Sequence, residues 1–255
     1  MIAIDLSGRV AVVTGASGEL GRVIARTLAA AGARVAVHYN SSKEKALAVQ
    51  AEIENSGGTA MIVQADITDE QSVNAMRDAV STQLGDARII VNNAVIQYEW
   101  EDHPLDQPLS DFESQFRSCV LQNVLMARAF VPGMKRKGGG RIIAMNTECS
   151  MQYEPSQSAY VSGKRGMDGF LRSLAKDIGG HGITVNQVAP GWTVSEKYRE
   201  SGQESQPEYE AGVPLRRRGS DQEIANAVAF LASDLASFIT GVYLPVCGGN
   251  VMPSI

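Results

Sequence analysis

Short apolar runs and helix-patterned stretches alternate along this chain, and few architectures accommodate such an order. The first run, Arg9–Thr14, reads R-V-A-V-V-T, apolar at successive positions as in a strand buried on both faces. A helical stretch to Ala31 follows, with Val23, Ile24, Thr27 and Leu28 on one face and Gly32 as its stop. Further strands are predicted over Arg34–His38, Ala60–Val63, Arg88–Asn92, Arg141–Met145, Thr184–Val188 and Ile239–Pro245. Between them the pattern predicts a helix capped by Ser41 or Ser42, with Ala46, Val49 and Ile53 as its stripe. Others run from Thr68 or Asp69 to Leu84, Asp111 to Met134, Ala159 to Ile178 and Asp221 to Leu231. Strand and helix in strict alternation imply an α/β fold: a doubly wound, mostly parallel sheet with helices on both faces. No repeat or linker divides the 255 residues, which read as a single domain over 1–255. The longest irregular stretch, 192–219, is expected to be a cover or a substrate-binding segment.

Hydrophobic residues make up 44% and charged residues 20%, as in a soluble globular protein. With 23 basic and 28 acidic residues the formal charge is −5, which argues against a nucleic-acid partner. The run Arg216-Arg217-Arg218 reads as a solvated face within a loop. The three cysteines, Cys119, Cys149 and Cys247, are odd in number and far apart, so neither a disulfide framework nor a metal site is expected. No charged and apolar leader precedes Met1-Ile2-Ala3-Ile4, and no apolar run is long enough to cross a bilayer. The expectation is a cytoplasmic protein with no membrane partner.

Two stretches carry chemistry. Gly15-Ala16-Ser17-Gly18-Glu19-Leu20-Gly21 lies between the first strand and the first helix. There, glycines let the backbone approach a pyrophosphate and the helix N-terminus faces it with free N–H groups. Tyr160 and Lys164 are four apart on a helix and so share a face. An ammonium at about 5 Å favours phenolate by roughly 3 kcal/mol, which would let the phenol exchange a proton near neutral pH. Either stretch alone has a bland alternative: an ordinary glycine turn, or a surface tyrosine beside a snorkelling lysine.

Taken together, the motifs resemble those of the short-chain dehydrogenase/reductase family, in its branch of roughly 250 residues. The matching pieces are Thr14-Gly15 with Gly18 and Gly21, Asp66, Asn92-Asn93-Ala94, Tyr160-x-x-x-Lys164 and Val185-Asn186-x-Val188-x-Pro190-Gly191. The resemblance implies a Rossmann-like fold and an NAD(P)-dependent oxidoreductase that interconverts a secondary alcohol and a ketone. It implies that Tyr160 is the general acid/base, that Lys164 binds the nicotinamide ribose, and that Thr147, thirteen residues before Tyr160, orients the oxygen. Cys119 stands where the family's helix asparagine completes the catalytic set, although a small buried hydrophobe is the preferred reading of that thiol. Asn123, one turn later, is a weaker candidate to replace the amide.

The same resemblance implies cofactor contacts from Gly15, Ser17, Gly18, Leu20 and Gly21. It adds Tyr39, Asn40, Ser41, Asp66, Ile67, Asn92, Ala94, Lys164, Pro190, Gly191, Thr193 and Ser195. His38-Tyr39-Asn40-Ser41-Ser42 contains no acid to bind a ribose diol or repel a 2′-phosphate, which favours NADP and leaves NAD open. Glu19 and Val95 replace glycines of the branch. Gln97, Tyr98, Trp100, Gln152, Tyr153, Trp192 and Tyr198 are candidates to line the pocket for a small-molecule carbonyl or alcohol. Family members form tetramers or dimers through paired helices, and Gly163 and Gly166 would permit such a contact. The alternatives are a non-catalytic dinucleotide-binding sensor or scaffold on the same fold, and a dehydratase or epimerase.

Overall fold

The computed structural model describes residues 3–96, 105–153 and 156–253. Its strands are β1 (Val10–Val13), β2 (Arg34–Tyr39), β3 (Thr59–Gln64), β4 (Ile89–Asn92), β5 (Gly140–Met145), β6 (Ile183–Pro190) and β7 (Tyr243–Val246). They form a seven-stranded sheet in the order β3-β2-β1-β4-β5-β6-β7, with every neighbouring pair parallel. The chain reverses its direction of travel across the sheet between β1 and β4, and a crevice opens there beyond the strand ends.

The longer helices are α1 (Glu19–Ala30), α2 (Lys43–Asn55), α3 (Glu70–Gln83), α5 (Gln122–Arg136), α7 (Ser158–Ile178) and α10 (Asp221–Ala232). Shorter ones are α4 (Leu109–Gln115), α6 (Cys149–Gln152), α8 (Glu196–Glu200) and α9 (Pro207–Gly212). Successive strand residues point to opposite faces, so the sheet feeds two cores. Ala11, Val13, Val35 and Val37 pack beneath α1, α2 and α10, whereas Val10, Val12 and Ala36 pack beneath α3, α5 and α7.

Four elements differ from their sequence expectation. The helix predicted from Asp111 begins at Leu109 and changes to a π-helical turn over Phe116–Leu121 before α5. The last strand begins at Tyr243, because Gly241 has φ +77° and the carboxamide of Asn186 takes up the backbone of Ile239 and Val242. The 192–219 stretch carries α8 and α9 rather than remaining irregular. Ser42 sits at the N-cap of α2 but its hydroxyl makes no capping bond. Gly163 and Gly166 serve a contact within the chain: a Cβ on Gly163 would meet the backbone of Gln115, and one on Gly166 the side chain of Val120.

Candidate active site

A cleft of about 1050 Å³ runs along the C-terminal ends of the strands. One wall begins where β1 ends. The buried Thr14 hydroxyl donates to Gln122 Oε1 (2.8 Å) and accepts from the N–H groups of Asn93 (2.9 Å) and Ala94 (3.0 Å). This ties the glycine turn to the segment after β4. Gly15 has φ +63°, and a Cβ there would lie 3.0 Å from the Ala94 Cα. A Cβ on Gly21 would overlap the Gly15 carbonyl oxygen. Gly18 caps α1 with extended backbone and no side-chain bond, so the first N–H groups of the helix face the cleft without a side-chain partner.

Glu19 lies at this helix start and lines the cleft. Its carboxylate is engaged elsewhere, accepting from Arg22 (2.8 Å) and from the N–H of Lys197 (3.3 Å). His38 is also committed: Nδ1 accepts from the Gly15 N–H (2.9 Å) and Nε2 faces the Ala65 carbonyl (3.0 Å). Those partners require a neutral ring protonated on Nε2, and burial pushes its pKa down to about 4. His38 thus holds the glycine turn rather than contributing a free donor. Asn40, Ser41, Asp66 and Ile67 line this end of the cleft, and Asp66 Oδ1 accepts from Thr68 N (2.8 Å) and Oγ1 (2.7 Å).

At the other end α7 presents Tyr160 and Lys164 on one face while burying Met167 and Leu171. Lys164 Nζ lies 5.6 Å from the Tyr160 ring centre and donates to the Met145 carbonyl (2.6 Å). Burial pushes the lysine pKa down. Thr147 follows β5 and lines the same end, where its Oγ1 accepts from Cys149 N (3.2 Å). Pro190, Gly191 and Thr193 close this end.

Of the residues expected here, Ser17, Gly18, Leu20, Gly21, Ala94 and those named above border the cleft; Tyr39, Asn92, Cys119 and Ser195 do not. Tyr39 packs in the core beneath α1, because strand alternation turns it away from the side on which His38 lies. Asn92 is still within β4 and donates to Asn123 (2.6 Å), so that Asn93 is the amide at the cleft. Ser195 is the N-cap of α8. Lys197 borders the cleft through the folding back of 192–219, for which the local sequence carries no signal.

The aromatic candidates Trp192 and Tyr198 belong to the cover. The Arg218 guanidinium stacks on both rings, at 4.9 and 4.4 Å from their centres. It also donates to the carbonyls of Trp192, Thr193, Gln203 and Glu204. Arg216 and Arg217 are exposed, as a solvated face requires, but Arg218 is 4% exposed and departs from that expectation. Gln152 ends α6, and Tyr153 follows in left-handed backbone (φ 59°) against Arg165. Gln97, Tyr98 and Trp100 lie outside the described residues.

A protein-family model described as enoyl-(acyl carrier protein) reductase matches residues 15–250. The 3-oxoacyl-[acyl-carrier-protein] reductase FabG of Staphylococcus aureus is 38% identical over 252 residues, spanning 95% of this chain and 98% of its own. FabG of Escherichia coli is 36% identical over 97% of this chain and 99% of its own. A 7α-hydroxysteroid dehydrogenase, solved with NADH and 7-oxo glycochenodeoxycholic acid, superposes with a TM-score of 0.87 at 33% identity, covering 98% and 97% of the two chains. This chain belongs to the short-chain dehydrogenase/reductase family. It is an NAD(P)-dependent oxidoreductase.

The glycine cradle fits the dinucleotide such a family member uses: glycine at 15 and 21 lets the turn lie close against Ala94 and the start of α1, and that helix start lacks a side-chain cap. In place of the family's helix asparagine, the Cys119 thiol is buried in the core, 3.9 Å from Gln115 Oε1. Asn123 does not point a free amide into the cleft: its Nδ2 donates to the Cys119 carbonyl (2.7 Å) and its Oδ1 accepts from Asn92.

Proposed function

We infer that this dehydrogenase/reductase interconverts a secondary alcohol and a ketone of a small molecule, with Tyr160 as the group that moves the proton. The observation that supports this most directly is the convergence of Tyr160, Lys164 and Thr147 at the end of the cleft opposite Asn40 and Ser41. A nicotinamide bound there supplies or accepts the hydride. In ketone reduction the Tyr160 hydroxyl donates its proton to the carbonyl oxygen as negative charge develops on it. Thr147 donates a hydrogen bond to the same oxygen and fixes its direction. Lys164, held on the Met145 carbonyl, places positive charge beside the phenol and favours the phenolate left behind. Alcohol oxidation runs the same proton path in reverse.

Ser17, Gly18, Leu20 and Gly21 border the pyrophosphate end, and Asp66, Ile67 and Ala94 the adenosine end. Asn40, Ser41 and Ser42 follow β2 with hydroxyl and amide groups and no carboxylate, which supports NADP over NAD. No helix among the described residues is long and apolar enough to cross a membrane. The same reading has the chain work in the cytoplasm as a dimer or tetramer, which light scattering on the purified protein checks.

Titration with NADPH and NADH, followed by nicotinamide fluorescence, comes first. A screen of ketones then includes a 3-oxoacyl thioester of coenzyme A and a 7-oxo bile acid. Tyr160→Phe is expected to lower kcat by about 10²–10⁴-fold with the dinucleotide affinity unchanged. Tight dinucleotide binding without turnover of any ketone would favour the non-catalytic alternative, for which the buried Cys119 is the supporting feature.

A further inference from the structure

Behind the reacting end lies a buried carboxyl group that the chemistry above does not use. Glu148 follows Thr147 directly and is 3% exposed. Among the described residues no cation pairs with it; Oε1 accepts from the Tyr209 hydroxyl (2.8 Å) and Oε2 from the Asn250 amide (3.0 Å). Tyr209 Oη in turn accepts from the Trp192 N–H (2.9 Å), and the Glu148 N–H donates to the Pro190 carbonyl (3.0 Å). The packing is close: a Cβ on Gly191 would lie 2.5 Å from Tyr209 Oη and 3.0 Å from Glu148 Oε2. One contact therefore joins the Thr147 turn, the Gly191–Trp192 turn, α9 and the segment after β7.

A buried carboxylate without a cation is costly, and a structure retains it where its hydrogen bonds serve something else. Burial pushes the Glu148 carboxyl up, and burial followed by the carboxylate beside it pushes the Tyr209 phenol up. The phenol therefore stays protonated and donates. Six residues long, α9 buries none of its side chains fully, so neither length nor apolar packing holds it down. Tyr209 is its attachment to the strand ends.

We propose that Glu148 and Tyr209 are a positioning pair, tying the turn that carries Thr147 to the 192–219 cover and so fixing the Thr147 hydroxyl against Tyr160. This rests on the reading of Tyr160 and Thr147 as the groups that act on the carbonyl. Closure of the cover and alignment of the hydroxyl then become a single event, because the same carboxylate that seats α9 belongs to the residue after Thr147. Neither partner borders the cleft, so the pair acts through Thr147 and Gly191 rather than on substrate.

The test uses the full chain with Tyr209→Phe, Glu148→Ala and Glu148→Gln. Hydrogen–deuterium exchange in Tyr209→Phe is expected to rise about tenfold at residues 147–150, across the pair from the mutation, as well as at 207–213. Protection of α7 and the affinities for NADPH and NADH should stay within about twofold of the parent. With the 3-oxoacyl thioester, kcat should fall about tenfold while KM changes less than about twofold. Glu148→Ala should behave as Tyr209→Phe does, and the double variant should lose no more than Glu148→Ala alone. Glu148→Gln, with the Asn250 amide turned to present its oxygen, can restore both hydrogen bonds and should recover most of the loss. Unchanged exchange at 147–150 in Tyr209→Phe, or losses that simply add in the double variant, would overturn the pair. If the parent turns over no ketone while the exchange pattern holds, the coupling stands and the catalytic reading is what fails.

Discussion

The Gly15 carbonyl oxygen occupies the space that a side chain on Gly21 would need. Gly21→Ala must therefore push the first turn of α1 away from the glycine turn. The expected outcome is at least a tenfold loss of dinucleotide affinity by fluorescence titration, with a melting temperature lowered by a few degrees. The spacing of Gly15, Gly18 and Gly21 and the Tyr160–Lys164 pair were legible at this scale because each depends on neighbours a few residues apart. Cys119 was legible as a buried thiol from its residue type, although three of its four neighbours one helical turn away are amides. His38 was not, because its partners, Gly15 and Ala65, come from two other strand ends. Nor was the fate of Glu19: a carboxylate at a helix start reads as a threat to a bound pyrophosphate, and only the fold shows it taken up by Arg22 and Lys197.

Among the elements, the strands and long helices could be read from their periodicity, since burial on two faces leaves continuous apolar runs and one-faced burial leaves stripes. The 192–219 cover could not. Its order comes from Arg218, whose four carbonyl partners and two aromatic faces are set by tertiary folding rather than by pattern. Replacing that guanidinium should loosen the whole segment at once. Arg218→Met keeps an apolar stem of similar length and removes the donors. Limited proteolysis is expected to cleave within 192–219 about tenfold faster than in the parent, with cleavage elsewhere unaffected. Arg218→Lys should not restore resistance, because an ammonium has neither the planar face nor the fork that reaches four oxygens. Equal protection in Arg218→Met would show that the cover is held by its other attachments.

The molecule as a whole should be acid-sensitive through His38. Its folded-state pKa of about 4 lies below the ordinary 6.5, so the folded state binds fewer protons in that interval. The associated stability is fully present above pH 6.5, declines as the pH falls, and is lost below about 4. A displacement of that size corresponds to about 3 kcal/mol. Urea unfolding between pH 7 and 4 should show this slope, and His38→Gln, which keeps an acceptor for the Gly15 N–H, should flatten it. One further consequence concerns time rather than stability. The Glu19 carboxylate reaches the Lys197 N–H across the mouth of the cleft, and the Glu196 carboxylate lies between Arg22 and Arg26 of α1, with Glu52 on the far side of Arg26. These charges are partly solvated, and their attraction extends about 30 Å at 0.01 M salt but only about 8 Å at 0.15 M. A dinucleotide held in the cleft, which Glu19 and Lys197 both border, is expected to leave past these contacts. Its stopped-flow dissociation rate should rise several-fold over that range, giving the enzyme a cofactor residence time set by the ionic strength of its surroundings.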